Sequence, residues 1–488
     1  MAGGCMFRRM SLAALQREAG EEGLASLRRS LSSWQLMALG IGAIIGAGIF
    51  VVTGLVAANN AGPAIILSFV IAAAGCLCAA LCYAEFAAMV PVSGSAYSYA
   101  YATLGEIVAW VVGWCLLLEY LAASATVAVG WSGYLGALMG HLGAGLPALL
   151  TQPPLDLKGG DLVATGALIN LPAVAIIAVL TGILLVGLRL SVSVNAVLVA
   201  VKLTVILLFI SVGAFHVSAA NWHPFLPENT GEYGQFGWSG VLRGAGVIFY
   251  AYLGFDAVST AAREARNPQR DVPIGIVGSL VICTVLYMLF ALVLVGMASY
   301  RDLNVPNPIS VAIDRSGLTF LGPVVEVGAL MGLTSVMLVL LYGQSRILYA
   351  MGRDRLVPAA FGICSDRSHS PVVGLLVTGG IAAAAAGFLP LSVLGEMISI
   401  GTLFAFIVVC GGVLVLRVRQ PHLPRPFRVP AARSVAVLGI LVCFYMMVSL
   451  PADTWLRFVV WMALGLALYF FYGRRHAVLA TNPALAAD

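Results

Sequence analysis

The chain has 488 residues, of which 61% are apolar and only 10% are Asp, Glu, Lys or Arg; its net charge is +5 and its mean hydropathy +0.99. A soluble domain carries roughly 25% charged residues, so most of this surface must be solvated by lipid. That excludes a cytosolic enzyme, a nucleic-acid binder and a secreted module. Only two residues are lysines, Lys158 and Lys202, and neither follows a glycine, so no Walker A loop is present. The nine cysteines are an odd number. Cys76, Cys78, Cys82, Cys115, Cys283, Cys410 and Cys443 fall in apolar segments and read as small packers, not a disulfide or metal framework.

Residues 1–35 form a polar, arginine-bearing tail with no sign of a cleaved signal peptide, since the first apolar run begins near Trp34 and many follow. Apolar spans then occupy 36–58, 64–90, 104–138, 168–188, 192–215, 240–262, 273–298, 320–350, 372–389, 392–416, 434–450 and 455–473. At roughly 20 residues per crossing these are twelve transmembrane helices, with both ends on one side. The loops near 139–167 and 216–239 are the longest and are expected as external caps; 474–488 is a short tail.

Charge placement tests the count independently. With the N-terminus inside, 20 of the 26 Arg and Lys residues fall on the cytoplasmic side and five outside, with Lys202 inside a span. That follows the positive-inside rule. The expectation is a multi-pass protein of the cell membrane, plasma or inner, with both termini cytoplasmic.

The first span contains Gly40, Gly42, Gly46 and Gly48 within nine residues. Each glycine weakens a helix by about 1 kcal/mol relative to alanine, and broken backbone in lipid is tolerated only where it lines protein or a cavity. The sixth span offers a counterpart in Phe249-Tyr250-Ala251-Tyr252-Leu253-Gly254-Phe255-Asp256. Broken helices in spans one and six, five apart, match two inverted repeats with a mid-membrane site. Free N–H groups at the start of the second half of span one would hold a carboxylate, and freed carbonyls in span six an ammonium. The competing reading is that these glycines only let helices approach closely. A dinucleotide loop fails, because G-x-G-x-x-G meets Ile45 in its last position.

Six ionisable residues lie at membrane depth, where each is costly: Glu85, Glu119, Lys202, Asp256, Glu326 and Glu396. Lys202, alone in Val199–Val205, is either a proton carrier or a lysine satisfying carbonyls at a broken helix. Glu119 is either a gate, relay or attractor of a cationic side chain, or a carboxyl bonded to a neighbouring helix. Asp256, with Ser259 after it, reads as a helix cap, and Glu85 as structural. Glu326 and Glu396 have no partner nameable from sequence. No H-E-x-x-H or G-x-S-x-G is present, and the six scattered histidines suggest no metal cluster. No cofactor and no metal is expected.

Several stretches resemble the amino acid–polyamine–organocation superfamily of permeases, and more narrowly its cationic amino acid transporter family with the bacterial members of that group. They are 38–46 (ALGIGAIIG), 83–86 (YAEF), 91–97 (PVSGSAY), Gly113-Trp114, 118–120 (LEY), 254–260 (GFDAVST), 267–270 (NPQR) and 343–346 (GQSR). The resemblance implies an all-α, LeuT-like five-plus-five inverted repeat, 36–215 and 240–416, with broken helices 1 and 6 and two peripheral helices within 434–473. It implies that a substrate carboxylate meets backbone around Ile44, Gly46, Ala47 and Gly48, and an amine the carbonyls of Tyr250, Ala251 and Leu253, with Tyr250 also a gate. Met337 and Glu119 would line the pocket. Lys202 matches the lysine that replaces a sodium site, which implies sodium-independent, proton-coupled transport.

Two departures matter: Ala47 stands where relatives often carry Thr or Ser, and no acid fixes a cationic substrate, so small neutral amino acids remain open. Residues 139–167 hold no cysteine, so no disulfide-linked heavy chain is expected, and no nucleic-acid partner. The partners expected are an amino acid, protons and the bilayer. The competing functions are a proton-independent exchanger and a non-transporting sensor of the same fold; a sensor would be expected to append a soluble domain. A channel fits less well, because a broken-helix site favours occlusion over a continuous pore.

Overall fold

The computed structural model describes residues 32–89, 95–158, 161–186, 192–255, 258, 265–365 and 371–481. The first helix, α1 (Ser33–Ile44), starts at Ser32, whose side chain and backbone N–H form a reciprocal capping box with Gln35. After an interruption the chain resumes as π-helical Gly48–Val52, α-helical Thr53–Val56 and π-helical Ala57–Ala61. It turns at Gly62, which holds φ +59° ahead of Pro63. Then follow α2 (Ile65–Met89), α3 (Glu106–His141), α4 (Leu171–Val186), α5 (Val192–Gly213) and α6 (Gly237–Ile248). The second half holds α7 (Pro268–Met297), α8 (Gly322–Arg353), α9 (Val372–Phe388), α10 (Leu391–Arg419), α11 (Ala432–Val448) and α12 (Ala452–Leu468). Proline opens α7 and α8, where its missing N–H costs nothing.

Among the described residues, seven helical runs are long and apolar enough to cross a membrane, and four shorter apolar helices accompany them: Ser33–Ile44, Leu171–Leu185, Val372–Phe388 and Ala432–Val448. Seventeen residues at 1.5 Å each reach about 26 Å, the low end of a hydrocarbon core. The first helix is split at its interruption, so that neither part is of membrane-crossing length by itself, and α6 is only 12 residues long. Most expected spans match within three or four residues. Two local structures were not anticipated. The 139–167 cap holds an antiparallel hairpin, Leu155–Lys158 with Asp161–Ala164, and a short helix, Ser95–Thr103, precedes α3.

The packing order is specific. α3 lies along α8, α2 and α1 along α7, α4 along α9, and α10 along α3 and α11. Small residues set the separations: a Cβ on Gly328 of α8 would stand 2.2 Å from Val205 of α5, and one on Gly130 of α3 would stand 2.4 Å from Val51. Three tryptophans fasten α12 to α3. Trp114 Nε1 donates to the Trp461 carbonyl at 2.8 Å, Trp461 Nε1 to the Trp114 carbonyl at 3.1 Å, and Trp110 Nε1 to the Gly465 carbonyl at 3.0 Å.

One end of the bundle carries the long loops. There Asn60 Nδ2 donates to the Gly234 carbonyl at 2.9 Å, and the short helix Pro308–Ser316 rests on the second half of helix one, where Pro308 fills the space a Gly54 Cβ would need. At the opposite end Tyr97 of the short helix donates to Asp354. Burial first, and then the Asp354 carboxylate, push this phenol above its usual pKa range.

Candidate functional site at the meeting of two broken helices

α1 stops at Ile44, and Ile45 turns to an extended conformation (φ −71°, ψ 101°) before helix resumes around Ala47. A helix end leaves carbonyls without intrahelical donors, and its dipole places partial negative charge there. Two side chains from other helices answer this end. The Lys202 amino group of α5 donates to the Gly42 carbonyl and, at 2.9 Å, to the Ile45 carbonyl. The Tyr287 hydroxyl of α7 lies 2.9 Å from the Ile44 carbonyl. Lys202 is fully buried. Beyond the interruption the N–H groups around Ala47 and Gly48 open a new helix, the positive end of a dipole.

The sixth helix is interrupted at the same level. α6 ends at Ile248, the chain tightens into a 3-10 turn over Phe249–Tyr252, and Gly254 adopts φ +107°. Gly254 must be glycine on two counts: the left-handed backbone, and the Ala43 carbonyl carbon, which would lie 2.6 Å from any Cβ. The interruptions touch directly, since a Cβ on Gly48 would stand 2.3 Å from the Ala251 Cβ and 2.5 Å from its Cα. Tyr287 also lies 2.9 Å from the Ala251 carbonyl, so one hydroxyl bridges both interrupted backbones. Its ring is set by Tyr252 and Phe69, each with its centroid 5.5 Å away, and the Tyr252 hydroxyl donates to the Phe69 carbonyl at 3.0 Å.

The expected site residues therefore fall into three groups. Gly48 meets Ala251 at the crossing, Ile44 is joined to it through the Tyr287 hydroxyl, and Gly46 and Ala47 lie in the same interruption; Leu253 follows, partly accessible. The Tyr250 backbone belongs to the same turn, while its side chain lies outside the described residues, as do Asp256 and Ser259. Met337 of α8 is fully buried next to Val336, whose Cγ1 would lie 3.2 Å from a Gly46 Cβ. Glu119 is buried in another seam of α3, between Leu118, which faces Gly401 of α10, and Tyr120, which faces Gly343 of α8. Lys202 belongs to the crossing through backbone, not through side-chain partners.

Both readings of the glycine cluster hold, at different positions. Gly40 packs on Ser279 and Val258, and Gly42 on Val199, which is close helix approach. The interruption itself falls at Ile45 and Gly46. Tyr287 was not singled out in the sequence. The available signal was a hydroxyl in an apolar span, which needs a partner when buried.

The remaining intramembrane acids acquire partners from distant helices. Glu85 accepts from Arg417 through both oxygens and from the Val429 N–H at 2.9 Å, a structural clamp. Glu326 lies 3.0 Å from His141 Nδ1. Glu396 accepts from Thr454 and faces Arg243 and Arg457. Among the described residues no three His, Cys, Asp or Glu side chains converge as metal ligands.

A buried crossing of an interrupted first helix with the turn that ends α6, in a bundle of long apolar helices, fits a membrane permease. The amino acid permease family model matches residues 31–470, and the chain belongs to that family. It is 44% identical over 474 residues to a methylthioribose transporter of Bacillus subtilis (strain 168), covering 97% of this chain and 99% of the relative. It is 43% identical over 477 residues to the branched-chain amino acid permease BcaP of the same strain, covering 98% and 99%. A vacuolar cationic amino acid transporter 4 of Arabidopsis thaliana is 39% identical over 401 residues, 82% of this chain and 65% of the relative.

Proposed function

We propose that the chain is a secondary active, sodium-independent, proton-coupled amino acid transporter of the cell membrane. It works by alternating access, with twelve crossings, cytoplasmic termini and a LeuT-like five-plus-five inverted repeat. Packing supports the repeat: the segment after the first helix's interruption meets the turn that follows α6, at Gly48 and Ala251, while α2 lies on α7, α3 on α8 and α4 on α9. Contacts between helices five apart are compatible with repeats related by a two-fold axis in the membrane plane. The N–H groups around Ala47 and Gly48 receive the substrate carboxylate, and the carbonyls of Tyr250, Ala251 and Leu253 receive its ammonium.

Proton coupling rests on one observation, the Lys202 amino group lodged between the Gly42 and Ile45 carbonyls. Carbonyls at a helix C-terminus are the groups with which permeases hold a sodium ion, so a lysine there occupies the cation's place and carries an exchangeable proton. Losing that proton weakens the grip on α1 and frees this half-helix to move.

The surroundings of the crossing are apolar, with Ile44, Ala251 and Leu253 at its edge and Met337 nearby, which favours small aliphatic side chains over cationic ones. The test is uptake of radiolabelled leucine, alanine, arginine and methylthioribose by proteoliposomes holding the purified protein, under an inward proton gradient. Accumulation of leucine or alanine, lost on collapsing the gradient and indifferent to sodium, is the expected result. Exchange unaffected by the gradient would favour an antiporter, and no accumulation of any amino acid would refute the reading.

A further inference from the structure

Two intramembrane carboxylates meet arginines at opposite ends of the bundle, and they are held differently. Glu85 is saturated: Arg417 grips both oxygens, Arg425 Nε stands 3.4 Å away and the Val429 N–H donates at 2.9 Å. Glu396, five residues into α10 at the loop-bearing end, is held unevenly. Its Oε2 takes a short bond from Thr454 Oγ1 of α12 at 2.6 Å and faces Arg457 Nη1 at 3.5 Å. Among the described residues its Oε1 faces only Arg243 Nη2 of α6, at 3.7 Å, beyond hydrogen-bond range. Arg243 Nε and Arg457 Nη1 are enclosed and have no hydrogen-bond partner among the described residues. One carboxylate oxygen is thus fixed to α12, while the other is spaced from α6 by an ion pair too long to be a bond.

Three residues further on, and so on the same face of α10, Ser399 Oγ donates to the Val247 carbonyl at 2.8 Å. α10 therefore touches the first half of α6 at two points one turn apart, both just before the interruption at Phe249. That half-helix is about 18 Å long and leads into the Phe249–Tyr252 turn, where Ala251 meets Gly48. Parting it from α10 would move the site's wall and let water reach both Arg243 and Glu396, so the ion pair would be exchanged for hydration instead of being stranded. A solvated pair is worth a factor of about five at most in an equilibrium, a size suited to repeated release. The same separation at Glu85 would strand a saturated buried carboxylate.

We propose that Glu396 is a releasable latch on the substrate path from the loop-bearing end. Anchored to α12 through Thr454, it holds the first half of α6 against α10 while that path is shut, and lets go of Arg243 when it opens. Glu396 and Arg243 are positioning residues in this account and do not touch substrate. The inference rests on the alternating-access reading above.

The test uses Glu396→Gln, which keeps an acceptor for Thr454 but removes the charge, and Arg243→Gln, which removes the same pair from the other side. Both are reconstituted, and initial uptake is measured with whichever of leucine, alanine and arginine the wild type accumulates. Weakening the latch raises the fraction of protein open to the outside, so apparent affinity rises by that fraction. The external KM is expected to fall about two- to fivefold, Vmax to fall with it as reclosure slows, and Glu396→Asp to recover most of both. An unchanged KM with reduced Vmax means fewer folded molecules and overturns the latch, as does wild-type behaviour in both variants. Failure of both variants to survive purification marks a clamp like Glu85 and also overturns it. A wild type that accumulates no amino acid instead overturns the transport reading, and the latch with it.

Discussion

Lys202→Met tests the link between the buried amine and proton-driven movement. Methionine has nearly the same length and packs into the same apolar surroundings, so the change removes donors without opening a large cavity. The Gly42 and Ile45 carbonyls, which now accept from the Lys202 amino group, would be left at a buried helix end. Each unsatisfied group costs about 1–3 kcal/mol, so about 2–6 kcal/mol of the attachment of α1 to α5 is at stake. The cation's attraction to the helix C-terminus adds about 0.3–1 kcal/mol. At about 1.4 kcal/mol per factor of ten, the loss is expected to suppress proton-driven accumulation by at least tenfold. Exchange of substrate across the same proteoliposomes needs no net proton movement and should survive in part. The assay compares gradient-driven accumulation with counterflow, normalised to correctly folded protein by size-exclusion profile. Retention of gradient-driven accumulation in Lys202→Met would refute the coupling argument, because no other lysine lies within a span.

Further expectations concern the crossing and the clamp. Gly48→Ala places a methyl 2.3 Å from the Ala251 Cβ and 2.5 Å from its Cα. Backbone cannot step aside as a long side chain can, so substrate-induced thermal stabilisation should disappear. Gly136→Ala, with nothing within 4 Å, should leave it unchanged, and equal behaviour of the two would move the site elsewhere. Tyr287→Phe removes the hydroxyl that bridges the Ile44 and Ala251 carbonyls; at about 1–3 kcal/mol, apparent substrate affinity should weaken about five- to a hundredfold with the fold intact, measured by the same shift titration. Glu85→Gln leaves Arg417 and Arg425 without their carboxylate and should cost about 3–5 kcal/mol of stability, seen as a lower melting temperature, while KM in the surviving protein stays the same.

Much of this molecule is legible in its sequence for one physical reason. In hydrocarbon every backbone group must be satisfied within its own helix, so a crossing must be a long apolar run and an interruption must be compensated. Length and apolarity therefore located the helices, and the glycines at 40–48 marked the interruption that falls at Ile45 and Gly46. The charge scarcity that excluded a soluble protein also isolated Lys202, and the structure buries it completely at that interruption. The short helix Ser95–Thr103 and the hairpin at 155–164 escaped, because they lie outside the apolar runs and carry no such constraint.

Partnerships were decided by tertiary structure alone. Glu396 and Glu326 stood in the sequence without partners, yet Arg243, Arg457 and Thr454 meet the first and His141 the second across as many as 185 positions. Tyr287 reads as one more aromatic in an apolar span until α7 brings its hydroxyl between two carbonyls 243 and 36 residues away. Helical periodicity records which face of a helix is turned inward, but nothing local records which helix lies opposite or at what height. The sequence by itself determined the apolar, helical character of the chain and where its first helix would be interrupted. Only the packing of distant helices decided that the two freed segments touch at Gly48 and Ala251, because a close approach between backbones depends on the space that both sides leave empty.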